Sequence, residues 1–227
     1  MFALTPPDYD AILLSLKVAL AAMAVSLPFG IGAAYLLTFL RFRGKVVLEV
    51  LINLPLTLPP VVIGYLLLLL LGRKGWLGQL LDAAGIRLIF TWKAAVIASA
   101  VVGFPLLVRS IRIGMETIDR QLIQAARSLG APWYDTLVSV ILPLSFRSII
   151  AGSSLLFARS LGEFGATIIV AGNIPGVTQT IPLAIYEYAG SPTSEGFAVS
   201  LCMVSVVISL AVLFLHESLA GKFSGRN

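Results

Sequence analysis

Charge is what this sequence has least of. Only 12% of its 227 residues are Asp, Glu, Lys or Arg, about half the share of a soluble domain, while 58% are hydrophobic. No aqueous surface accommodates that much apolar sequence, so the chain reads as one membrane domain, residues 1–227, with no room for a soluble catalytic domain. Its one cysteine, Cys202, excludes an intramolecular disulfide and, inside an apolar run, is expected to pack. Its one histidine, His216, has no partner ligands nearby, and a metal site needs several. The N-terminus lacks the basic start of a cleavable signal. Residues 1–11 hold two acids and no base, and the apolar run behind them exceeds a signal core of about 7–15 residues, so it is expected to stay as an anchor.

What is present is a series of long apolar runs. Residues 12–40, 46–71, 94–108, 149–171 and 197–215 are read as five spans, since a helix crosses the hydrocarbon core in about 20 residues. Backbone groups in lipid must be satisfied internally, and the runs are too long for barrel strands, so the spans are helices. The fold class is an all-α integral membrane protein. Pro28, Pro55, Pro59, Pro60 and Pro105 fall inside spans, where each removes a helical hydrogen bond. Ordinary kinked packing accounts for them, and so do bent helices lining a route that opens and closes. Gly30, Gly32, Ala33 and Ala34 would let helices approach closely.

The cations sit between spans rather than in a patch on a nucleic-acid-binding fold, so no nucleic acid is expected. Five spans put the termini on opposite sides. With the N-terminus outside, ten cations fall inside: Arg41, Arg43, Lys45, Arg109, Arg112, Arg120, Arg127, Arg147, Lys222 and Arg226. Five fall outside: Lys17, Arg73, Lys74, Arg87 and Lys93. The positive-inside rule therefore puts the N-terminus out and the C-terminus in the cytoplasm.

Between residues 113 and 143 the character changes. Asp119 is suited to cap a helix over 120–129 that stops at Gly130. Leu122, Ala125, Ala126 and Leu129 recur at i, i+3, i+4 and i+7 and form a small apolar face. Pro132 fits the first turn of a second helix, on which Trp133, Leu137, Val140 and Ile141 share a face before Leu142-Pro143 bends the chain. Such a knob could lie in the headgroup region, with Trp133 and Tyr134 as anchors, or dock in a partner's groove.

Gln124-Ala125-Ala126, three residues, Gly130, nine residues, then Val140-Ile141-Leu142-Pro143 resembles the Glu-Ala-Ala loop of bacterial ABC-importer permeases. It keeps both alanines, the glycine, Leu-Pro and every spacing, and departs in Gln124 for Glu and Val140 for Ile. The stretches 54–75, 90–112 and 157–186 are similar to the molybdate-transporter permeases, and the third separates them best from sulfate permeases. The resemblance implies a type I-like importer fold in which Gln124, Ala125, Ala126, Gly130, Leu142 and Pro143 form a cytoplasmic coupling helix for an ATPase. It also implies a second copy of the chain, two ATP-binding cassette subunits, an external molybdate-binding protein and a place in the bacterial inner membrane. No Gly-x4-Gly-Lys-Ser/Thr phosphate loop occurs, so no cofactor is expected on this chain; ATP and Mg would sit on the partner.

Arg159 and Glu163 lie one turn apart within the fourth span, where ionisable groups cost about 2.5–3.5 kcal/mol each and normally face the bundle interior. They are candidates for a fixed structural pair or for a gating pair beside the route. Gly162 and Gly165 would permit a close contact with a neighbouring helix, within the chain or between two copies. A single deep cation is a poor cage for a dianion, so selection is expected in an external binding protein. An ion-coupled transporter would need repeats and intramembrane carboxylates, and only Glu163 is at depth. An intramembrane enzyme would need a nucleophile–base pair, and Ser153, Ser154 and Ser160 have no histidine nearby in sequence. Sulfate and tungstate stand as alternative cargoes.

Overall fold

The computed structural model describes residues 4–191 and 194–224. The side chains of His216 and Lys222, and all of Arg226, lie outside the described residues. Helix α1 (Pro6–Phe39) begins where sequence chemistry allows it to. Pro6 and Pro7 occupy the first turn, where a missing N–H costs nothing. The Asp8 carboxylate accepts from the Thr5 backbone N–H at 2.6 Å and from its hydroxyl at 2.7 Å, a capping box. At 34 residues α1 is about 50 Å long at 1.5 Å per residue, so it either tilts in the bilayer or extends beyond the hydrocarbon core.

The second expected span is not one helix. Helix α2 (Lys45–Thr57) and helix α3 (Pro60–Leu71) are separate and meet at 117°. Leu58 is extended at φ −82°, ψ 143°, because the ring of Pro59 disfavours helical geometry in the residue before it. Helix α4 (Trp76–Ala83) follows. Helix α5 (Trp92–Glu116) runs well past the expected end at residue 108. Three short pieces then make the knob: α6 (Arg120–Ser128), α7 (Trp133–Thr136) and α8 (Leu142–Leu144), with a π-helical turn over Leu137–Ile141 between the last two.

The fourth expected span is also broken. Helix α9 (Phe146–Leu161) ends at Gly162, and helix α10 (Gly165–Ala171) starts anew. At its other end α9 bends 73° from the α7–α8 segment, with Ser145 at the break. Helix α11 (Ile181–Ala189) and helix α12 (Glu195–Ser224) complete the chain. Among the described residues, three helices are long and apolar enough to cross a membrane, or up to five spans if each bent pair counts as one.

Helix α5 is the hub. It packs on α1, α2, α9 and α10, and 61% of its apolar window is buried, against 28% for α1 and 17% for α12. Small residues make this possible: Ala94, Ala95, Ala98, Ser99 and Gly103 are buried along it, and such residues let helices approach in lipid. Across the bundle, a Cβ on Gly64 of α3 would stand 2.8 Å from the Ala166 backbone of α10, so glycine is required there. Gly165 packs against Pro60 and Val61 of the same chain, Gly30 packs on Leu107, and Gly32 and Gly162 face open space. A smaller core joins Ala11, Ile181, Ala184 and Leu201. There the Ser15 hydroxyl accepts from the Ile181 N–H at 2.8 Å and Tyr188 donates to Asp8 at 2.9 Å. Cys202 is exposed on α12, so it does not pack within the chain. The outer faces of α1 and α12 carry exposed Leu20, Phe29, Val207 and Phe214, the surface that lipid or another protein covers.

Candidate functional site

Helix α6 has its ends set by local chemistry. The Asp119 carboxylate accepts from the Gln121 N–H at 2.9 Å, which satisfies one orphan donor of the first turn. Gly130 stands at φ +87°, and the N–H groups of Gly130 and Ala131 return to the carbonyls of Arg127 and Ala126 at 3.0 and 3.1 Å. The helix therefore starts at Asp119 and stops at Gly130, as its sequence predicts.

Its two faces differ. Leu122, Ala125 and Leu129 are exposed, Leu129 to 89%, and Ala126 is half-buried. Three of the four residues of the apolar face identified from sequence are thus exposed. What holds α6 down is Ile123, which is buried and joins the main core with Met115, Ile141, Ile118, Leu137 and Leu142. Nothing in the sequence pattern singled out Ile123, since one isoleucine among polar residues makes no stripe. Arg120, Gln124 and Arg127 lie on the same side as Ile123 and line a cavity of about 390 Å³ with Thr38, Phe39, Arg41 and Lys45. Gln124 faces that cavity rather than the exposed alanine face.

The second half of the knob departs from expectation. Pro132 is the cap of α7 rather than a residue of its first turn. Trp133 is exposed while Ile141 is buried, so they do not share a face. The π turn is the reason: it spends an extra residue per turn and so rotates everything after it. Pro143 has no N–H to continue a regular ladder, and the adjacent Leu142 N–H bonds back to Leu137. Leu142 packs on the core, and Pro143 is exposed.

Arg159 and Glu163 do meet, at 2.9 Å between Nη1 and Oε2, but they straddle the break between α9 and α10 rather than lying within one helix. Glu163 is 1% exposed and Arg159 32%. The other Glu163 oxygen accepts from the Ala166 N–H at 2.8 Å. One carboxylate thus supplies both a counter-charge and an acceptor for the backbone freed by the break, as non-helical backbone at membrane depth requires.

Of a third cluster, only Arg109 and Arg112 were counted from sequence, as topogenic charge. Arg112 of α5 binds Glu49 of α2, and through Nε it binds Glu116 at 2.7 Å. With Asn53 and Arg109 these residues line a cavity of about 440 Å³. The Arg112–Glu116 spacing of i, i+4 is the one sequence signal that points to this cluster; its link to Glu49 is tertiary. Near the opposite end, Lys17 sits 4.0 Å over the Trp92 ring, a cation–π contact.

Residues 26–224 match the family model described as binding-protein-dependent transport system inner membrane component. The chain is 50% identical over 218 residues to the molybdenum transport system permease protein ModB of Escherichia coli K12, covering 96% of this chain and 95% of that protein. It is 49% identical to ModB of Haemophilus influenzae over 95% of this chain and 94% of that one. To the sulfate transport system permease protein CysW of Synechococcus elongatus it is 36% identical, over 95% of this chain and 76% of that one. Among solved structures, a bacterial alginate ABC transporter in complex with an alginate-bound periplasmic protein superposes with a TM-score of 0.78 at 14% identity, covering 97% of this chain and 81% of that one. The likeness at that identity is one of fold alone. With that family model spanning residues 26–224, the chain belongs to the binding-protein-dependent transport system inner membrane components.

Proposed function

We propose that this chain is the permease subunit of an ATP-driven importer that carries molybdate across the bacterial inner membrane. One observation carries the cargo assignment: 50% identity over 96% of the chain to a permease named for molybdenum transport, against 36% to one named for sulfate. In this reading two copies enclose the route, an external binding protein delivers the oxyanion, and two ATPase subunits dock on the α6 knobs from the cytoplasm.

The geometry supplies a means of coupling. The exposed Leu122, Ala125 and Leu129 face offers an apolar surface to a groove, and Leu129 is its natural anchor. Ile123 and Ile141 root the same knob in the core around α5. Packed side chains transmit displacement because interiors are dense and barely compressible. Drawing the two knobs together would therefore move α5 and α9 as bodies, with the bends at Ser145 and at Leu58-Pro59 taking up the change. Arg159, at the α9–α10 break, is the cation that the described residues of the fourth span offer to a passing dianion, and Glu163 is its counter-charge. The route thus offers brief passage, and selection rests with the binding protein. The termini sit with N outside and C in the cytoplasm.

Deletion of the gene tests the assignment in cells. High-affinity molybdate uptake is expected to disappear while sulfate uptake survives, and re-expression is expected to restore it. Equal loss of both uptakes would replace the molybdate importer with a shared oxyanion permease.

A further inference from the structure

The cavity behind α6 is lined by four cations and no carboxylate: Arg41, Lys45, Arg120 and Arg127. The positive-inside rule puts basic residues in such loops, but it does not require residues 75 to 86 positions apart in sequence to converge on one hollow. None of the four makes an ion pair with a described residue. The nearby acids are all committed elsewhere. Glu49 and Glu116 bind Arg112 in the adjoining cavity, and Asp119 caps α6 through the Gln121 N–H. The remaining polar lining is neutral: Gln124, and Thr38, whose hydroxyl donates to the Ala34 carbonyl at 2.8 Å. Phe39 and Ile123 give the hollow an apolar floor.

The placement matters as much as the charge. Arg120, Ile123, Gln124 and Arg127 recur at i, i+3, i+4 and i+7 on α6. Leu122, Ala125, Ala126 and Leu129 repeat that spacing two residues later, which at 100° per residue is close to the opposite face. A partner seated on the exposed apolar face would leave the cavity free. The cavity also opens where α1 ends and α2 begins, between Phe39 and Lys45, and basic pockets between membrane helices on the cytoplasmic side bind anionic headgroups.

We propose that this cavity is a binding site for a phosphate-type tetrahedral anion, carried by an anionic phospholipid headgroup or free in the cytoplasm, with Arg41, Lys45, Arg120 and Arg127 as its ligands. Occupancy ties the α1–α2 turn to the back of the coupling knob. Its location on the cytoplasmic side rests on the proposed orientation, but binding itself does not.

The test uses the purified full-length permease, without the ATPase and without transport, so its failure would leave the importer assignment standing. Phosphatidylglycerol retained per chain through extensive detergent washing is counted by mass spectrometry. The wild type is expected to retain it, and R41Q/R127Q and Q124E to lose it at least fivefold. Q124E places a carboxylate among the cations and so competes with the external anion. R109Q, in the neighbouring cavity, is expected to retain the lipid, and R41K/R127K to recover most of it, which separates lost charge from lost folding. In phosphatidylcholine nanodiscs, millimolar inorganic phosphate is the second arm. If phosphate raises the melting temperature of wild type but not of Q124E, while lipid retention is equal in both, the source is the free anion. If neither readout distinguishes Q124E and R41Q/R127Q from wild type, the site does not exist. Loss of ATPase co-purification in these variants with lipid and phosphate responses intact would also overturn the proposal, by assigning the cations to the ATPase.

Discussion

At the scale of single residues, Glu163 and Gly130 show how much one side chain, or its absence, decides. The Glu163 carboxylate is buried and serves two partners, Arg159 and the Ala166 N–H. E163A would leave both unsatisfied, and a stranded buried donor costs roughly 1–3 kcal/mol. E163Q keeps a carbonyl oxygen for Ala166 and loses only the charge. The melting temperature in detergent is therefore expected to fall in the order wild type, E163Q, E163A, and equal values for E163A and wild type would remove the pair from any structural role. A transport defect in E163Q out of proportion to its stability loss would mark the pair as a gate. Gly130 is a different case. A Cβ there meets nothing within 4 Å, so substitution costs only the left-handed backbone, roughly 1–2 kcal/mol for a residue other than glycine. G130N, which tolerates that conformation, is expected to behave close to wild type in ATPase co-purification, and G130V to fall well below it. Similar binding by both would show that the helix stop at Gly130 does not position the knob.

At the scale of elements, α6 is the part most legible in the sequence, because its cap and stop depend on residues two or three positions away. Asp119 and Gly130 carry that information locally. The breaks at Leu58-Pro59 and at Gly162–Phe164 are less legible. Proline marks the first, yet kinked and broken helices share the same residues, and the tertiary seat of α3 on α10 decides between them. The second has no proline at all; it depends on Glu163 finding the Ala166 N–H. The π turn before Pro143 and the burial of Ile123 are invisible to a periodic pattern, and so is the cavity formed by chain segments far apart. The two faces of α6 give a paired prediction for a complex of permease and ATPase. L129D, on the exposed face, and A126E, at its half-buried edge, are expected to reduce ATPase co-purification at least tenfold while the permease remains monodisperse. I123A removes the buried foot, at about 2–5 kcal/mol for a fully packed isoleucine, and is expected to lower the melting temperature as well. If L129D retained full ATPase binding and transport, α6 would be a membrane-surface helix and not a coupling element.

At the scale of the whole molecule, the charge-poor composition, the central α5 and the family match from residue 26 to 224 describe a membrane transporter subunit, whose cytoplasmic side is inferred from ten cations against five. Reporter fusions after Arg43 and Arg120 are expected to score cytoplasmic, and one at Gly176 external. The reverse pattern would place the knob away from ATP. The coupling of transport to hydrolysis is tested most directly by reconstituting the permease with its ATPase in liposomes and presenting the molybdate-loaded binding protein to the side where Gly176 lies. Molybdate is expected to accumulate beyond its external concentration only when ATP is supplied to the α6 side, with hydrolysis accelerated by the loaded binding protein and both effects lost together in L129D. Accumulation of molybdate that continues unchanged without ATP, or in L129D without ATPase stimulation, would contradict it.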